Sequence, residues 1–298
     1  MRNRIDRRQF VLRSAALAGA ALVPPTFAVP PKRTATDIVP LGKTGLTISR
    51  LGMGTGSNSG KVQLDLGQEG FNRLVRYAFD HGISYFDCAQ SYRTFDWIGA
   101  AIKDLPREKV FLQSKIPGKP EDVLAAIDRQ RKVFNTDYID SLLVHCMIKT
   151  GWTDEWKRIM DAYDEAKSRQ WIRAKGVSCH SLPALAAGAA SDWTQVHLVR
   201  VNPQGAWMDT PQELVGAKSD AAAVGPVMEQ IKKMHAKGHG VIGMKMIGNG
   251  TFTTPEDREK SLRFAMSQPE IHAVVIGFKS TAEIDEAIER INRALAAG

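Results

Sequence analysis

Four ionisable side chains in the first half of the chain could together move a proton. They are Asp87, Tyr92, Lys115 and His145, separated by 5, 23 and 30 residues. A lysine ammonium beside a phenol favours the phenolate and is expected to lower the tyrosine pKa from about 10, while a neighbouring carboxylate stabilises the lysine charge. A phenol tuned in this way can donate a proton near neutral pH. The chemistry indicated is proton delivery to a carbonyl oxygen while another group attacks the carbonyl carbon.

These residues need elements that bring them together, and the chain alternates between strand and helix patterns. Apolar residues at helical spacing run from Phe71 to Phe79, from Trp156 to Tyr163 and from Ile284 to Leu295. Strand–helix alternation implies parallel pairing with right-handed crossovers. Eight short apolar runs are predicted to be strands: residues 49–54, 84–88, 110–115, 139–146, 173–179, 196–202, 240–246 and 272–277.

Eight strand–helix units in roughly 260 residues predict an α/β fold of the closed (β/α)8 barrel type, also called a TIM barrel. The competing fold, an open doubly wound sheet, would carry a G-x-G-x-x-G turn after its first strand, and this sequence has none there. A short N-terminal β-hairpin around Gly42–Gly45 is predicted to precede the barrel. The barrel domain is expected over residues 37–298.

The predicted barrel places the four ionisable residues at one rim. Asp87 ends the second barrel strand with Tyr92 in the loop after it, and Lys115 and His145 lie at the ends of the third and fourth strands. Active sites of this fold lie at the C-terminal ends of the strands. A charged lysine or aspartate inside a barrel costs free energy unless it is paired. We therefore expect the four side chains to converge.

The sequence resembles the aldo-keto reductase family over residues 37–298. The resemblance rests on the segments PLGKTGLTISRLGMGTG, ISYFDCAQSY, LQSK, IDSLLVHC, RAKGVS and VIGFKSTAEIDEAI. Members of this family transfer a hydride between a nicotinamide and an aldehyde or ketone. The resemblance implies an NAD(P)H-dependent oxidoreductase with a small carbonyl or alcohol substrate. It further implies that Tyr92 is the general acid, that Lys115 paired with Asp87 tunes it, and that His145 orients the carbonyl.

The family binds its cofactor extended across the barrel mouth, which implies a set of cofactor contacts on this chain. Gly54 and Thr55 match a ribose-contacting turn, Ser178 matches a serine that holds the carboxamide, and residues 245–250 match a loop over the pyrophosphate. The family's habit favours NADP (NADPH) over NAD, and no metal is expected. The implied cofactor-binding residues are Gly54, Thr55, Asp87, Ser178, Cys179, Asn202, Lys245, Met246, Ile247, Gly248, Asn249, Lys279 and Ser280.

The nicotinamide end departs from the family pattern at two strand ends. Cys179 stands where the family usually has asparagine, so one carboxamide hydrogen bond is expected to weaken or to pass to His180. On the sixth barrel strand the family has a glutamine and then a tyrosine that stacks on the nicotinamide. Neither has a clear counterpart in residues 199–205, and Asn202 and Trp207 are candidate replacements.

The adenosine end departs from the pattern at the last helix. Glu283 occupies a position that is usually basic, and Ala287 one that is usually asparagine. Lys279 and Ser280 could still meet a phosphate at the helix N-terminus. The lost contacts together are expected to weaken cofactor binding or to shift the preference towards NADH, since each tenfold in affinity needs only about 1.4 kcal/mol.

Other functions remain open from the sequence. One is a metal-dependent barrel enzyme that uses Cys88, His145, Cys146, Cys179 and His180, all at strand ends. Adjacent strand residues point in opposite directions, so His145 and Cys146 are poorly placed to share an ion. Another is a non-catalytic nicotinamide-binding sensor or partner subunit of the same fold, although a pure binder does not need a tuned acid. A solute-binding barrel without cofactor is the third.

The first 28 residues have the pattern of an export signal. A basic segment, MRNRIDRRQF, precedes a small-residue apolar stretch that ends at Ala28. Residues 7–12, RRQFVL, resemble the twin-arginine (Tat) motif. The sequence therefore predicts a signal peptide over 1–28 that engages the Tat export machinery, a linker over 29–36, and a periplasmic protein. The alternative is a disordered basic tail or an amphipathic helix.

Composition and charge exclude some classes of partner. With 43% hydrophobic and 24% charged residues the chain is expected to be globular. Five arginines and one aspartate in residues 1–28 leave 35 basic and 31 acidic residues for the rest. That small excess is not a nucleic-acid footprint. We expect no membrane span in the mature protein and a monomer. Trp152 and Trp207, in loops after the fourth and sixth strands, are predicted to contact the substrate, which is expected to be a hydrophobic or a stacked sugar-like carbonyl compound.

Overall fold

The computed structural model describes residues 32–297 of the chain. The predicted signal peptide over residues 1–28 lies outside the described residues, as does the start of the predicted linker. Residues 34–36, predicted to be part of that linker, pack on the barrel instead. Ala35 is buried, and its backbone N–H donates to Asn292 Oδ1 at 2.7 Å. The compact unit accordingly begins at Arg33.

The described chain contains ten strands, of which eight form a closed barrel of parallel strands. The order around the barrel is β10-β3-β4-β5-β6-β7-β8-β9, which confirms the predicted fold. The strands are β1 Ile38–Pro40, β2 Thr47–Ser49, β3 Leu51–Gly54, β4 Tyr85–Asp87, β5 Phe111–Ile116, β6 Ile139–Met147, β7 Ile172–Cys179, β8 Val196–Arg200, β9 Gly240–Met244 and β10 Ala273–Gly277.

Helices connect the barrel strands and cover their outer faces. The apolar stripes predicted from Phe71 and from Ile284 lie on the helices Gly67–Asp80 and Thr281–Ala296, and the stripe from Trp156 begins at the residue before the helix Lys157–Ser168. Each helix buries most of its stripe. No helix within residues 32–297 has the length and apolarity to cross a membrane. The α-helices are α1 Lys61–Leu64, α2 Gly67–Asp80, α3 Ile98–Ile102, α4 Val123–Phe134, α5 Trp152–Glu155, α6 Lys157–Ser168, α7 Leu182–Ala190, α8 Val224–Lys237, α9 Pro255–Met266 and α10 Thr281–Ala296.

Three strands end earlier than the sequence predicted, β4 by one residue and β8 and β9 by two. β8 ends at Arg200 and β9 at Met244. Lys245 has a φ of +68°, a conformation that side chains rarely adopt and that turns the chain out of the strand. After β8, Pro203 has no backbone N–H to contribute to a ladder.

The predicted hairpin closes the N-terminal end of the barrel. β1 and β2 pair antiparallel, and Leu41 N–H donates to Leu46 O across the turn. Leu41 and Ile48 are buried in one apolar cluster with inward-facing residues such as Tyr85. Gly42 is required there, because it has φ +54° and a Cβ would lie 2.5 Å from Gly238 O. With this end filled by apolar side chains, the opposite end is left for polar ones.

A buried histidine pair makes stability depend on pH. His197 Nε2 and His239 Nδ1 are 3.0 Å apart, and burial lowers the pKa of both, helped by nearby positive charge. Because the unfolded chain takes up protons below its histidine pKa of about 6.5, stability is fully present above that pH and is lost as the pH falls below it. We expect the free energy of unfolding to fall by up to about 1.4 kcal/mol per pH unit for each such histidine.

Urea denaturation from pH 8 to pH 5 measures this effect. His197→Phe is expected to flatten the acid limb of the profile, whereas His81→Asn at an exposed position is the matched control and leaves it unchanged. A profile with no fall below pH 6.5 would contradict the prediction.

Candidate active site

The four predicted ionisable residues come together at the C-terminal rim of the barrel. Lys115 Nζ donates to Asp87 Oδ1 at 2.6 Å and to Cys88 O at 2.8 Å. The same Nζ lies 5.0 Å from the centre of the Tyr92 ring. The rings of Tyr92 and His145 meet edge to face, with centroids 5.9 Å apart. The phenol therefore lies between a charged ammonium and an imidazole.

One partner of this group was missed from the sequence. Gln113 on β5 lies two residues before Lys115, so both side chains point into the barrel. Its Nε2 donates to Asp87 Oδ1 at 2.9 Å and to Tyr85 Oη at 2.8 Å. The amide and the lysine therefore hold the same carboxylate oxygen. Because side chains alternate along a strand, the spacing of two between Gln113 and Lys115 could have indicated from the sequence that Gln113 also points inward.

A bulge in β6 aims His145 into the mouth. The register between β6 and β7 shifts between Val144 and Met147, and Cys146 has φ +64°. Ser178 Oγ accepts the Cys146 N–H at 3.0 Å, which satisfies a donor that the bulge removes from the ladder. Bulges of this kind redirect side chains beside active sites. Ser178 therefore has a structural role in addition to the predicted carboxamide contact.

The protonation states suit an acid that gives its proton to a substrate. Burial raises the pKa of Tyr92, and Lys115 offsets only part of that rise. The predicted lowering of the Tyr92 pKa is therefore wrong, because the sequence showed the cation and not the depth of burial. Burial opposes the Lys115 charge, but Asp87 and Tyr92 raise the lysine pKa above its ordinary value. Burial and the Lys115 charge lower the pKa of His145 to about 3, which keeps the imidazole neutral.

Gly56 allows Tyr92 to reach its position. A Cβ at Gly56 would lie 2.3 Å from Tyr92 Cζ and 2.7 Å from its hydroxyl oxygen. The backbone at Gly56 has φ −103°, which any residue can adopt. Glycine is therefore required here because a Cβ would clash with the phenol, and not because of backbone strain.

Gly56→Ala is expected to displace the phenol and to lower kcat/KM by about 100-fold, since a shift of about 1 Å at a reacting group can cost that much. The thermal midpoint should change little. Gly151→Ala is the matched control, because Gly151 has φ −81° and nothing lies within 4 Å of its Cβ position. Steady-state kinetics of the two variants test this, and equal activity in both would contradict it.

A cleft of about 280 Å³ runs from Tyr92 and Asp87 towards the start of α10. It adjoins a second cavity of about 330 Å³ that continues along α10 to Arg290. Seven of the predicted cofactor residues line the first cleft: Gly54, Asp87, Lys245, Met246, Ile247, Asn249 and Lys279. Ser57 and Asn58 also line it, in the loop after the first barrel strand, and were not among the predicted residues.

Other predicted cofactor residues are used by the fold itself. Thr55 is fully buried and its hydroxyl donates to Asp87 O, and Cys179 is buried in the outer core. Gly248 has φ +55° in a turn, where a Cβ would lie 2.4 Å from the Thr251 hydroxyl. Ser280 caps α10 by accepting the Glu283 N–H. These positions shape the cleft and do not line it.

Asn202 was suggested as a replacement for the family's glutamine on the sixth barrel strand, and this prediction is wrong. Its Nδ2 donates to Ala206 O and Lys245 O, and its Oδ1 accepts the Ala206 N–H. The side chain is fully buried and holds two loops together. The inward-facing residue at the end of β8 is Arg200, which was not among the predicted site residues.

The family assignment follows from a comparison with family models. The model described as Aldo/keto reductase family matches residues 50–297. The chain belongs to the aldo-keto reductase family. The ionisable group at the rim of this aldo-keto reductase therefore lies in the part of the chain that carries the family match.

Individual relatives of this aldo-keto reductase match a shorter segment. The 9,11-endoperoxide prostaglandin H2 reductase of Trypanosoma cruzi is 34% identical over 109 residues, which cover 35% of this chain and 37% of that protein. The glyoxal reductase of Bacillus subtilis is 31% identical over 109 residues, covering 35% and 38%. The matches therefore span less than two fifths of the length of these relatives.

A solved aldo-keto reductase shares the fold over most of its length. The structure from Klebsiella pneumoniae in complex with NADP and acetate has a TM-score of 0.64 and 15% identity. It covers 87% of this chain and 90% of that chain. At this identity the likeness shows the fold.

The two tryptophans predicted to contact substrate have different surroundings in this aldo-keto reductase. Trp152 is 1% exposed on α5, and its Nε1 donates to Ala184 O, so the prediction for it is wrong. The short helix turns its ring into the core. Trp207 is 40% exposed, and Lys245 Nζ lies 5.9 Å from its ring centre. Trp207 stays a prediction for the substrate side of the cleft.

The metal-site alternative gains no support from the aldo-keto reductase fold. Within residues 32–297, no three His, Cys, Asp or Glu side chains are grouped so that they could hold a metal ion. Cys88 Sγ instead donates to Gln113 O at 3.1 Å. The buried cysteines pack as small apolar side chains.

Proposed function

We propose that the chain is an NAD(P)H-dependent oxidoreductase that interconverts a small aldehyde or ketone and its alcohol. The observation that carries the proposal is the contact of Lys115 with both Asp87 and the Tyr92 ring, beside the neutral His145, at the end of an open cleft. A tuned phenol next to a charged lysine has no use in a protein that only binds a ligand. It is suited to general acid–base catalysis.

Each of these four residues has a distinct role at the carbonyl group. Tyr92 holds a proton at its hydroxyl because burial raises its pKa, and it donates that proton to the carbonyl oxygen. Lys115 stabilises the phenolate that forms, and Asp87 keeps the lysine charged and in place. His145, being neutral, can donate a hydrogen bond to the same oxygen and orient it. In the oxidation direction the phenolate takes the proton back.

The cleft has the lining that an extended dinucleotide needs. Lys245 and Lys279 supply positive charge along it, and Ser57 and Asn58 supply polar groups at its rim. Gly277 makes room for this rim, because a Cβ there would lie 2.0 Å from Ser57 Oγ. These residues would hold the cofactor, with the N-terminus of α10 facing a phosphate. When bound, the nicotinamide supplies or accepts the hydride.

We propose NADPH as the preferred cofactor, because Lys279 stands at the start of α10 where a 2′-phosphate would gain a charged contact. Glu283 competes for that lysine, since its carboxylate accepts the Lys279 N–H and lies 3.8 Å from Nζ. The preference is therefore expected to be modest. Calorimetric titration with NADPH and NADH measures it, and equal or tighter binding of NADH would contradict it.

The function is tested by following NADPH consumption with a neutral aromatic aldehyde such as 4-nitrobenzaldehyde. Saturable turnover supports the reductase. Tight cofactor binding without turnover of any aldehyde or ketone would favour the sensor or partner-subunit alternative. We also propose a monomer, which light scattering after size-exclusion chromatography checks.

We propose that residues 1–28 direct export through the Tat machinery to the periplasm. The support is the pair Arg7–Arg8 ahead of a small-residue apolar stretch. Replacing both with lysine should leave the protein in the cytoplasmic fraction at full precursor length. Arg2→Lys with Arg4→Lys makes the same change of residue type outside the pair and is the matched control. Equal export of both double variants would contradict the proposal.

A further inference from the structure

A second group of buried charge lies in the barrel mouth, apart from the proton-donating group. Arg200 ends β8 and points into the barrel, since Val196 and Leu198, at steps of two along the strand, belong to the inward-facing core. Its side chain is only 3% exposed. Arg200 forms a buried ion pair with Asp209, whose Oδ1 lies 3.6 Å from Arg200 Nε, a distance too long for a hydrogen bond.

The donors of Arg200 are largely unused. Within residues 32–297 its guanidinium makes one hydrogen bond, from Nη2 to His180 Nδ1. Arg200 Nε and both carboxylate oxygens of Asp209 are buried without a hydrogen-bond partner in the same part of the chain. A guanidinium has five N–H donors, and unpaired buried donors cost free energy. A group with acceptor oxygens in this place would satisfy them.

The bond from Arg200 also determines the tautomer of His180. A guanidinium can only donate, so His180 Nδ1 must accept, and the proton of the neutral ring lies on Nε2. Burial, with the Arg200 charge, holds the pKa of His180 well below its usual range, so the ring stays neutral. The result is a second fixed N–H donor in the mouth.

These donors lie beside the cleft that contains Tyr92. Arg200 is paired in register with Met244 on β9, and both Met244 and Lys245 line that cleft. Burial and the nearby Arg200 charge lower the pKa of Lys245 to about 8. Its Nζ donates to Asn249, which carries no charge. Asp209 offsets Arg200 only in part, since burial raises the pKa of Asp209 to about 7 against the pull of Arg200. Positive charge therefore exceeds negative charge on this side of the mouth.

We propose that Arg200 and His180 form a subsite for a carboxylate carried by the carbonyl substrate. A carboxylate offers two acceptor oxygens to the guanidinium fork and the imidazole Nε2–H, which are the partners it binds best. The inference rests on the proposed carbonyl reduction and narrows its substrates to aldehydes or ketones that also carry an acid group. The same donors could serve a cofactor phosphate, and the experiment separates the two sources.

Binding of benzoate and benzamide to the full-length protein tests the subsite without catalysis, because the two molecules share a shape and differ in charge. At pH 7.5 we expect calorimetry to show benzoate binding about 10-fold or more tightly than benzamide. Arg200→Gln should abolish the preference, and Arg200→Lys should keep part of it. Arg107→Gln is the matched control, because it breaks an ion pair with Asp140 at the N-terminal end of β6, far from the mouth, and should keep the preference in full.

Equal binding of benzoate and benzamide to the wild-type protein would overturn the subsite, and it decides the matter even where a variant does not fold. A loss of NADPH affinity in Arg200→Gln with the benzoate preference retained would assign the donors to the cofactor and overturn the substrate assignment.

Reduction of 4-carboxybenzaldehyde and 4-formylbenzamide separates this inference from the proposed function. We expect the ratio of their kcat/KM values to fall by about 10- to 100-fold in Arg200→Gln. If neither aldehyde is reduced while benzoate is preferred, the reductase proposal fails and the carboxylate subsite stands. If both are reduced with a ratio that Arg200→Gln leaves unchanged, the reductase stands and the subsite is wrong.

Discussion

Tyr92→Phe is expected to lower kcat for aldehyde reduction by about 100- to 10,000-fold, the usual contribution of a positioned general acid. The change removes one oxygen atom and keeps the ring. The ring still packs against Gly56, under Lys115 and against the edge of His145. The loss of activity therefore measures the contribution of the hydroxyl proton and not a change in the shape of the site. Because burial raises the pKa of the phenol, the wild-type enzyme holds this proton through neutral pH.

NADPH affinity gives the second readout for this variant. Calorimetry should find it within about threefold of wild type, since no contact carried by the phenol oxygen is needed to hold a dinucleotide in the cleft. Tyr163→Phe is the matched control, because its buried hydroxyl donates to Leu143 O on the outer side of the barrel. That variant should lose about 1 kcal/mol of stability and keep its activity. Near-normal turnover by Tyr92→Phe would show that another group supplies the proton.

The sequence predicted the barrel and the rim because both follow from periodicity. Apolar runs alternating with helical stripes require parallel strands, and parallel strands bring their C-terminal ends to one face. Asp87, Lys115 and His145 each lie within the last three residues of a strand, so their convergence could be inferred before any contact was known. Tyr92 follows Asp87 closely enough to be carried with it.

The predictions that were wrong concern properties that depend on how deeply a side chain is buried and on the path of a loop. The pKa direction of Tyr92 needed the burial of the phenol, which no neighbour in sequence reveals. Trp152 was assigned to a loop, but a four-residue helix turns it into the core. The inward direction of Arg200 could have been inferred from the sequence, because Val196 and Leu198 precede it at steps of two along the strand. Its unpaired donors could not have been inferred, because they depend on where the loop after β8 places Asp209.

Lys115→Met is expected to lower the free energy of unfolding by about 3–5 kcal/mol, because it leaves the buried Asp87 carboxylate without its cation. The lysine is 1% exposed and its Nζ lies 2.6 Å from Asp87 Oδ1. Gln113 would remain as one neutral donor to the carboxylate, which is too little to replace a charge. Urea denaturation at pH 7 measures the loss, and activity should fall with it.

A double variant separates stability from catalysis at this pair. Asp87→Asn with Lys115→Met removes both charges, and replacing a whole buried ion pair by neutral groups is often close to neutral for stability. We expect the double variant to recover most of the free energy of unfolding that Lys115→Met loses, yet to stay as inactive, since nothing then stabilises the Tyr92 phenolate. A double variant as unstable as Lys115→Met would show that the lysine stabilises the barrel through packing. A double variant that regains activity would show that Tyr92 needs no cation, and the role proposed for Lys115 would be wrong.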